Sequence, residues 1–298
     1  MVLAKAFKKI RLYGELVMFS HTIFSLSFAI ISMLLASGGL PSLYTVFWII
    51  VAFMGARTGA NAINRVIDAK IDAINERTAQ RHIPKGEVSI KEAVILTAIS
   101  FVVMIIGAAK LNLLCLILSP IALVLLLGYS YTKRFTWLCH LILGITTAAA
   151  PVGAWVAVTG TVSLSALAMG AANVFWVAGF DIIYSSQDYE FDVEHSLYSI
   201  PVRFGVENAL KISSLFHVLS LFFLVFLGII NNLLGLWYFC GLLIVALLLF
   251  VEHSPSATRN SRSIKIASYS INQLISIVLL VFSLIDIFSN VAFKVGIF

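Results

Sequence analysis

Most acidic side chains of this 298-residue sequence fall in two short windows, where their spacing can support chemistry. Of the 14 Asp and Glu residues, three lie in residues 64–77 and five in residues 181–194. The candidate ligands repeat at intervals of four residues: Asn64, Asp68 and Asp72 in the first window, Asp188 and Asp192 in the second. Such intervals place side chains on one face of a helix. The sequence therefore predicts two helix faces rich in oxygen ligands.

A hard divalent cation is the ligand that these faces favour. Carboxylates four residues apart on a helix repel each other, and a carboxylate near lipid is costly unless it is neutralised. Mg²⁺ commonly binds one or two carboxylates together with phosphate oxygens and water. Basic residues that can contact further phosphate oxygens lie near the windows: Arg77, Arg81, Lys85, Lys133 and Arg134. We expect a diphosphate held between the two acidic clusters by bridging Mg²⁺; structural salt bridges with the same bases are the alternative.

Long apolar segments of the sequence carry these residues. The sequence is 60% hydrophobic and 11% charged, with a mean hydropathy of +1.01, whereas soluble domains are about 45–50% apolar and 25% charged. A disordered chain is excluded for the same reason. Segments near the length of about 20 residues that spans a bilayer occur at 16–37, 43–63, 90–109, 112–130, 137–159, 163–183, 209–230, 232–251 and 267–289.

These segments predict an all-α polytopic membrane protein in which nine transmembrane helices form one bundle. Residues 1–298 are expected to form a single domain, with the first segment retained as a helix and not cleaved as a signal peptide. Small residues of the fifth segment, among them Gly144 and Gly153, predict close helix packing. Cys115, Cys139 and Cys240 are scattered without CxxC spacing, which predicts neither a disulfide framework nor a zinc site.

The net charge of +6 follows from membrane topology. The positive-inside rule places the N-terminal cluster Lys5, Lys8, Lys9 and Arg11 in the cytoplasm. Threading nine spans from there leaves 17 of the 20 basic residues on the cytoplasmic side, including Arg259, Arg262 and Lys265, and the C-terminus outside. Both acidic windows then lie at cytoplasmic helix ends. We therefore expect a cytoplasmic-side active site, with the lipid bilayer and no nucleic acid as a partner.

Three blocks of the sequence resemble signatures of the UbiA superfamily of membrane prenyltransferases. The first block runs from Asn64 through Asp68 and Asp72 into Arg77-Thr78-x2-Arg81-x2-Pro84-x-Gly86, and the second is Asp181-Ile-Ile-Tyr184-Ser-Ser-Gln187-Asp188-x3-Asp192. Tyr129-x3-Lys133 is similar to the tyrosine–lysine pair between them. Many members carry Asp directly after the motif Asn, where this sequence has Arg65. The Tyr-x2-Gln-Asp pattern is most similar to that of 4-hydroxybenzoate polyprenyltransferases.

The resemblance implies a Mg²⁺-dependent aromatic prenyltransferase of the bacterial inner membrane. Its substrates would be a polyprenyl diphosphate and a small aromatic acceptor, 4-hydroxybenzoate, in ubiquinone- or menaquinone-type quinone biosynthesis. The run of residues 197–201 also resembles prenyltransferases of the futalosine route to menaquinone, and a naphthoate, a haem or a chlorin is a further alternative acceptor. An ion-coupled secondary transporter, which uses intramembrane acids, is the alternative from another class.

The resemblance also implies roles for individual residues. Metal and diphosphate binding would fall to Asn64, Asp68, Asp72, Asp188 and Asp192, with Arg77 and Lys133 as direct diphosphate contacts. Tyr129 and Asp181 would lie beside the allylic cation or orient the acceptor, and Tyr184 would bind substrate. Arg57, about two turns deeper than Asn64, is predicted to pair with the acceptor carboxylate, because a charge within the membrane is otherwise costly. His21, His140, His217 and His253 have no partners at ligand spacing and are predicted to be structural or interfacial.

Overall fold

The computed structural model describes residues 9, 11–17, 22–254, 263–264 and 266–294. Across these ranges the chain is helical and contains no β-strand. The helices are α1 (Thr22–Ser37), α2 (Leu43–Ile67), α3 (Ala69–Ile74), α4 (Ile90–Leu111), α5 (Leu113–Gly128), α6 (Cys139–Thr159), α7 (Leu164–Ser185), α8 (Tyr189–Glu194), α9 (Ile200–Phe204), α10 (Val206–Ile230), α11 (Leu236–Glu252) and α12 (Asn272–Lys294). Short 3₁₀ helices cover Tyr129–Arg134 and Ser186–Asp188, and a π-helical segment, Ile266–Ile271, precedes α12.

Seven of the described helices have the length and apolar composition needed to cross a bilayer. They coincide with seven of the predicted segments, and two shorter apolar helices, Leu26–Ser37 and Leu236–Glu252, coincide with the first and eighth. The all-α class and the integral membrane location are thereby confirmed. The count of nine spans and the side on which the active site opens stay predictions. Several residues of the sequence predictions lie outside the described ranges: Lys5, Lys8, His21, Arg259, Arg262 and Lys265.

The chain divides into two compact units. Unit 1 comprises Met1–Thr22 and Val46–Tyr131, and unit 2 comprises Ile23–Thr45 and Thr132–Phe298. In unit 1, α2 packs on α4 at Gly55, where an added Cβ would lie 2.6 Å from the carbonyl oxygen of Ser100. Because only a hydrogen fits there, the two helices approach at backbone distance, as small residues permit in membranes. This contact fixes the helix that carries Arg57 and Asn64.

Unit 2 is built on a hairpin of α6 and α7. The turn is formed by Gly160, which caps α6 with a left-handed backbone conformation (φ +68°) that suits glycine. Along the hairpin, Gly144 lies against the backbone of Val174 without room for a Cβ. Helix α10 packs on the other side of α7, where the Ser220 hydroxyl donates to the Ala172 carbonyl oxygen at 2.9 Å. The packing of Gly144 on Val174 thus fixes which residues of α6 lie beside which residues of α7.

All three cysteines lie within the described residues. Cys115, Cys139 and Cys240 are all free, so they form no disulfide framework. Cys139 is buried at the start of α6, and its Sγ lies 3.6 Å from the carbonyl oxygen of Tyr198. The expectation of a single domain over residues 1–298 stays a prediction.

Candidate functional site

The two acidic windows have similar local backbone structures, although the 3₁₀ helix Ser186–Asp188 precedes the short helix in the second window only. In each, a long helix ends, one aspartate occupies the junction, and a helix of six residues follows with a second aspartate. The junction residues have closely similar dihedral angles: φ −90° and ψ 0° at Asp68, φ −97° and ψ 7° at Asp188. This is the sparsely populated bridge region, in which many active-site residues lie. The second aspartates, Asp72 and Asp192, are 4% and 2% exposed.

The predicted single helix through the first window is therefore wrong in one respect, because it is interrupted at Asp68. The spacing survives the interruption. The backbone N–H of Asp68 donates to the Asn64 carbonyl oxygen at 2.9 Å, and that of Asp72 to the Asp68 carbonyl oxygen at 2.8 Å. Side-chain spacing alone does not distinguish a continuous helix from two helices joined in this way.

Within unit 1, the structure gathers three of the predicted residues. The Asn64 side-chain amide donates to Asp68 Oδ2 at 2.9 Å and to the Ser130 hydroxyl at 3.2 Å. Ser130 belongs to the same 3₁₀ helix as Tyr129, whose hydroxyl donates to the Ala60 carbonyl oxygen at 3.5 Å. Asn64 thus joins the end of α2 to the segment that carries Tyr129. Ser130 was not expected from the sequence.

Asp72 has a partner that the sequence indicated only as a nearby base. Arg81 Nη1 lies 2.7 Å from both carboxylate oxygens of Asp72. A buried carboxylate needs such a donor, because an unpaired charge away from water is costly. Of the other predicted residues of this unit, Arg77 is exposed on the segment after α3, and Arg57 is half-buried within α2. Their roles stay predictions.

Within unit 2, Asp192 lies beside Lys133. Lys133 Nζ is 3.6 Å from Asp192 Oδ2, and the Lys133 carbonyl oxygen accepts from the Tyr198 N–H at 2.7 Å. Asp192 Oδ2 is buried without a hydrogen-bond partner among the described residues. Asp188, at the junction, is also buried. Each window thus pairs its second aspartate with a base of its own unit, Arg81 in the first and Lys133 in the second.

Asp181 lies two turns before this junction, and Tyr184 lies one turn before it. Asp181 Oδ2 is 2.7 Å from His140 Nδ1, a partner that sequence spacing did not indicate. The structural or interfacial role predicted for His140 stays a prediction. The hairpin explains the contact, because His140 and Asp181 lie 20 residues before and 21 residues after Gly160. Equal distance from a helix turn was the signal that could have paired them. The Tyr184 ring packs edge-on against Tyr269, with centroids 5.2 Å apart.

The sequence profile described as the UbiA prenyltransferase family matches residues 25–278. The chain belongs to this family. A relative from Vibrio cholerae serotype O1, named 4-hydroxybenzoate octaprenyltransferase, is 32% identical over 241 residues, which cover 80% of this chain and 84% of the relative. A relative of the same name from Pseudomonas fluorescens is 32% identical over 217 residues, 71% of each chain.

Solved structures of UbiA homologs have the same fold. An apo homolog from Aeropyrum pernix is 33% identical, with a TM-score of 0.81, and the match covers 90% of this chain and 98% of that one. A homolog from Archaeoglobus fulgidus, bound to GPP and Mg²⁺, is 19% identical, with a TM-score of 0.71 over 93% of this chain and 99% of that one. At the latter identity the likeness concerns the fold alone.

The donor atoms of this UbiA family member fit a hard cation. The acidic windows offer carboxylate oxygens, the ligand type that Mg²⁺ prefers. Asp192 Oδ2 is a buried oxygen with an ion pair to Lys133 but no hydrogen bond among the described residues, and a cation would satisfy it. Among the described residues, no three Asp, Glu, His or Cys side chains are grouped closely enough to hold a metal by themselves. Such a group is not required where phosphate oxygens and water complete the coordination.

Proposed function

We propose that the chain transfers a polyprenyl group from a polyprenyl diphosphate to 4-hydroxybenzoate in quinone biosynthesis of the ubiquinone or menaquinone type. The observation that carries this proposal is the repeated unit of two aspartates four residues apart, the second paired with a base. The names of the relatives support the same reaction. We place the protein in the bacterial inner membrane, with its N-terminus in the cytoplasm and its C-terminus outside.

Five side chains are proposed to hold Mg²⁺ and the diphosphate: Asn64, Asp68 and Asp72 in unit 1, Asp188 and Asp192 in unit 2. Bound Mg²⁺ would supply positive charge to the diphosphate leaving group. Lys133 and Arg77 donate to oxygens of the same group and stabilise the negative charge that grows as the carbon–oxygen bond breaks. That the clusters of both units serve one diphosphate stays a prediction from the sequence.

The acceptor is proposed to meet a second set of residues. Its ring carbon ortho to the hydroxyl attacks the allylic carbon as the carbon–oxygen bond to the diphosphate breaks, and the proton on that ring carbon is then lost to water or to the released diphosphate. Tyr129 and Asp181 lie beside the allylic cation or orient the ring. Tyr184 contributes to substrate binding, and Arg57 pairs with the acceptor carboxylate. The secondary-transporter alternative is less well supported, because transporters bind near the midplane of the membrane. Here Asp68 follows the last residue of α2, and Asp188 lies three residues after the last residue of α7, so both carboxylates lie at the ends of long apolar helices.

Chelation of divalent metal tests the reaction itself. Membranes that contain the protein, a polyprenyl diphosphate and 4-hydroxybenzoate should form prenylated product, and EDTA should abolish it until excess Mg²⁺ is restored. The mass of the lipid product is the measurement. Product formation that continues under chelation would refute the metal assignment. Product from a naphthoate or another acceptor, with none from 4-hydroxybenzoate, would replace the acceptor assignment while leaving prenyl transfer intact.

Replacement of Arg57 tests the acceptor site. Arg57→Ala and Arg57→Lys should each raise the acceptor KM by about 10- to 100-fold, the loss expected when a hydrogen bond to a charged group is removed. Lysine is included because it lacks the planar fork that binds a carboxylate through two nitrogens. The donor KM should change much less. Arg11→Ala is the control, because Arg11 is exposed and forms an ion pair with Glu15, four residues along the chain. Equal changes in both KM values would contradict this role.

A further inference from the structure

One buried histidine of unit 2 contacts a predicted site residue, although the proposed reaction gives the histidine no role. The His140 side chain is 0% exposed, and its Nδ1 lies 2.7 Å from Asp181 Oδ2. The Asp181 side chain is 23% exposed. The Asp181 side chain is therefore partly open to a ligand, whereas the imidazole is enclosed. Through this contact His140 can act on a ligand that it does not itself touch.

The carboxylate of Asp181 requires a proton on Nδ1 of His140. A carboxylate oxygen accepts hydrogen bonds, so the imidazole donates its Nδ1–H to Asp181. His140 Nε2 is buried and has no hydrogen-bond partner among the described residues. Hydrogen bonds to an ionised acceptor are stronger than those between neutral groups, so this bond fixes one oxygen of Asp181.

Several contacts at the start of α6 position His140 Nδ1, the donor of the hydrogen bond to Asp181. Cys139, next to His140, contacts the carbonyl oxygen of Tyr198, whose N–H in turn donates to the carbonyl oxygen of Lys133. Two turns along the hairpin, the Thr147 hydroxyl donates to the Asn173 side chain at 3.0 Å. The helix that carries His140 is therefore held by contacts both before and after this residue. Such support is what a precise site requires.

We infer that His140 is a positioning residue for prenyl transfer: it holds the Asp181 carboxylate in the orientation in which that group contacts the aromatic acceptor. The inference rests on the proposed function, because it takes from it the role of Asp181 beside the acceptor. It adds a residue outside the sequence motifs, located on a different helix from the one that carries Asp181.

The position of the donor atom gives a sharp test. The amide nitrogen of Asn can occupy the place of imidazole Nδ1, whereas that of Gln reaches the place of Nε2. His140→Asn should keep the acceptor kcat/KM within about threefold, while His140→Ala and His140→Gln should lower it by about 10- to 100-fold. The donor KM should stay unchanged in all three variants, which also reports that the diphosphate site is folded. Equal acceptor kcat/KM values for the Asn and Ala variants would overturn the inference.

A double-variant comparison separates positioning from general support of the fold. If His140 acts through Asp181, the variant carrying both His140→Ala and Asp181→Asn should be no slower than Asp181→Asn alone. Losses that multiply would overturn the inference. His217→Ala is the matched control, because His217 is equally buried and bonds to His253 and to the Trp176 carbonyl oxygen. A loss of acceptor kcat/KM in that control as large as in His140→Ala would also overturn it.

Different results would refute the proposed function and the role of His140. A parent protein that forms no prenylated product from any aromatic acceptor would refute the proposed function. A parent protein that is active, with a His140→Ala variant equally active toward the acceptor, would refute the inference about His140 and leave the proposed function standing.

Discussion

Asp68→Asn and Asp188→Asn should each lower kcat for prenyl transfer by about 1,000-fold, the upper range for removal of one group that stabilises transition-state charge. Asparagine keeps the shape of the side chain and removes the negative charge that a Mg²⁺ ligand supplies. Both residues occupy helix junctions with nearly identical backbone angles, so we expect effects of similar size. Initial rates of product formation, divided by the amount of folded protein in the membrane, are the measurement.

The control for these two variants is an acidic residue away from the junctions. Glu207 is 86% exposed on its side chain and pairs with Lys211 one turn along α10. Glu207→Gln should leave kcat unchanged, since exposed ion pairs contribute little. If either junction variant retained more than about a tenth of the parent activity, that aspartate could not be a metal ligand on which the charge of the transition state depends.

Lys133→Met should lower the donor kcat/KM by about 100- to 1,000-fold. Methionine keeps an unbranched apolar side chain but removes the cation proposed to contact the diphosphate. The change also leaves Asp192, which is nearly fully buried, without its ion-pair partner at 3.6 Å. Steady-state kinetics with varied polyprenyl diphosphate concentration measure the effect. Lys211→Met serves as the control, because Lys211 is an exposed lysine of unit 2.

A double variant distinguishes the catalytic interpretation from a structural salt bridge. If Lys133 only neutralises Asp192, then adding Asp192→Asn to Lys133→Met removes the unpaired charge and should restore activity. If both side chains act on the diphosphate or its metal, the double variant stays at least as slow as the slower single variant. Recovery to near parent activity would therefore show that neither Lys133 nor Asp192 belongs to the diphosphate site.

The positions of the membrane helices could be predicted well, because runs of apolar residues measure contact with lipid directly. The segment predicted at 163–183 is observed as α7, Leu164–Ser185. The segment predicted at 43–63 continues further, to Ile67 in α2. The extension contains Asn64 and Arg65, which end a hydrophobic run without ending a helix. Hydropathy reports the surroundings of a residue, whereas the helix ends where its backbone hydrogen bonds end.

Contacts between helices were harder to predict, because small residues in a sequence do not show which of them faces a neighbouring helix. Gly144 and Gly153 lie on the same helix and gave the same expectation of close packing. Gly144 meets the backbone of Val174, as predicted, but an added Cβ at Gly153 would meet nothing within 4 Å. Which face of α6 turns toward α7 depends on the hairpin, not on the side chains alone. The pairing of Asp72 with Arg81 needed the path of the chain after α3, which composition does not determine.

The brevity of α3 and α8 has a thermodynamic consequence. Each has six residues, far below the roughly 12–15 at which an isolated helix begins to persist in water. Backbone hydrogen bonds that continue from the preceding helix, as at Asp68, and the ion pairs of Asp72 and Asp192 therefore help to keep them formed. Binding of a ligand to these two segments and their local folding are then linked. A ligand that binds only the formed segment stabilises it by mass action, and the fraction of time the segment is unwound lowers the apparent affinity in proportion.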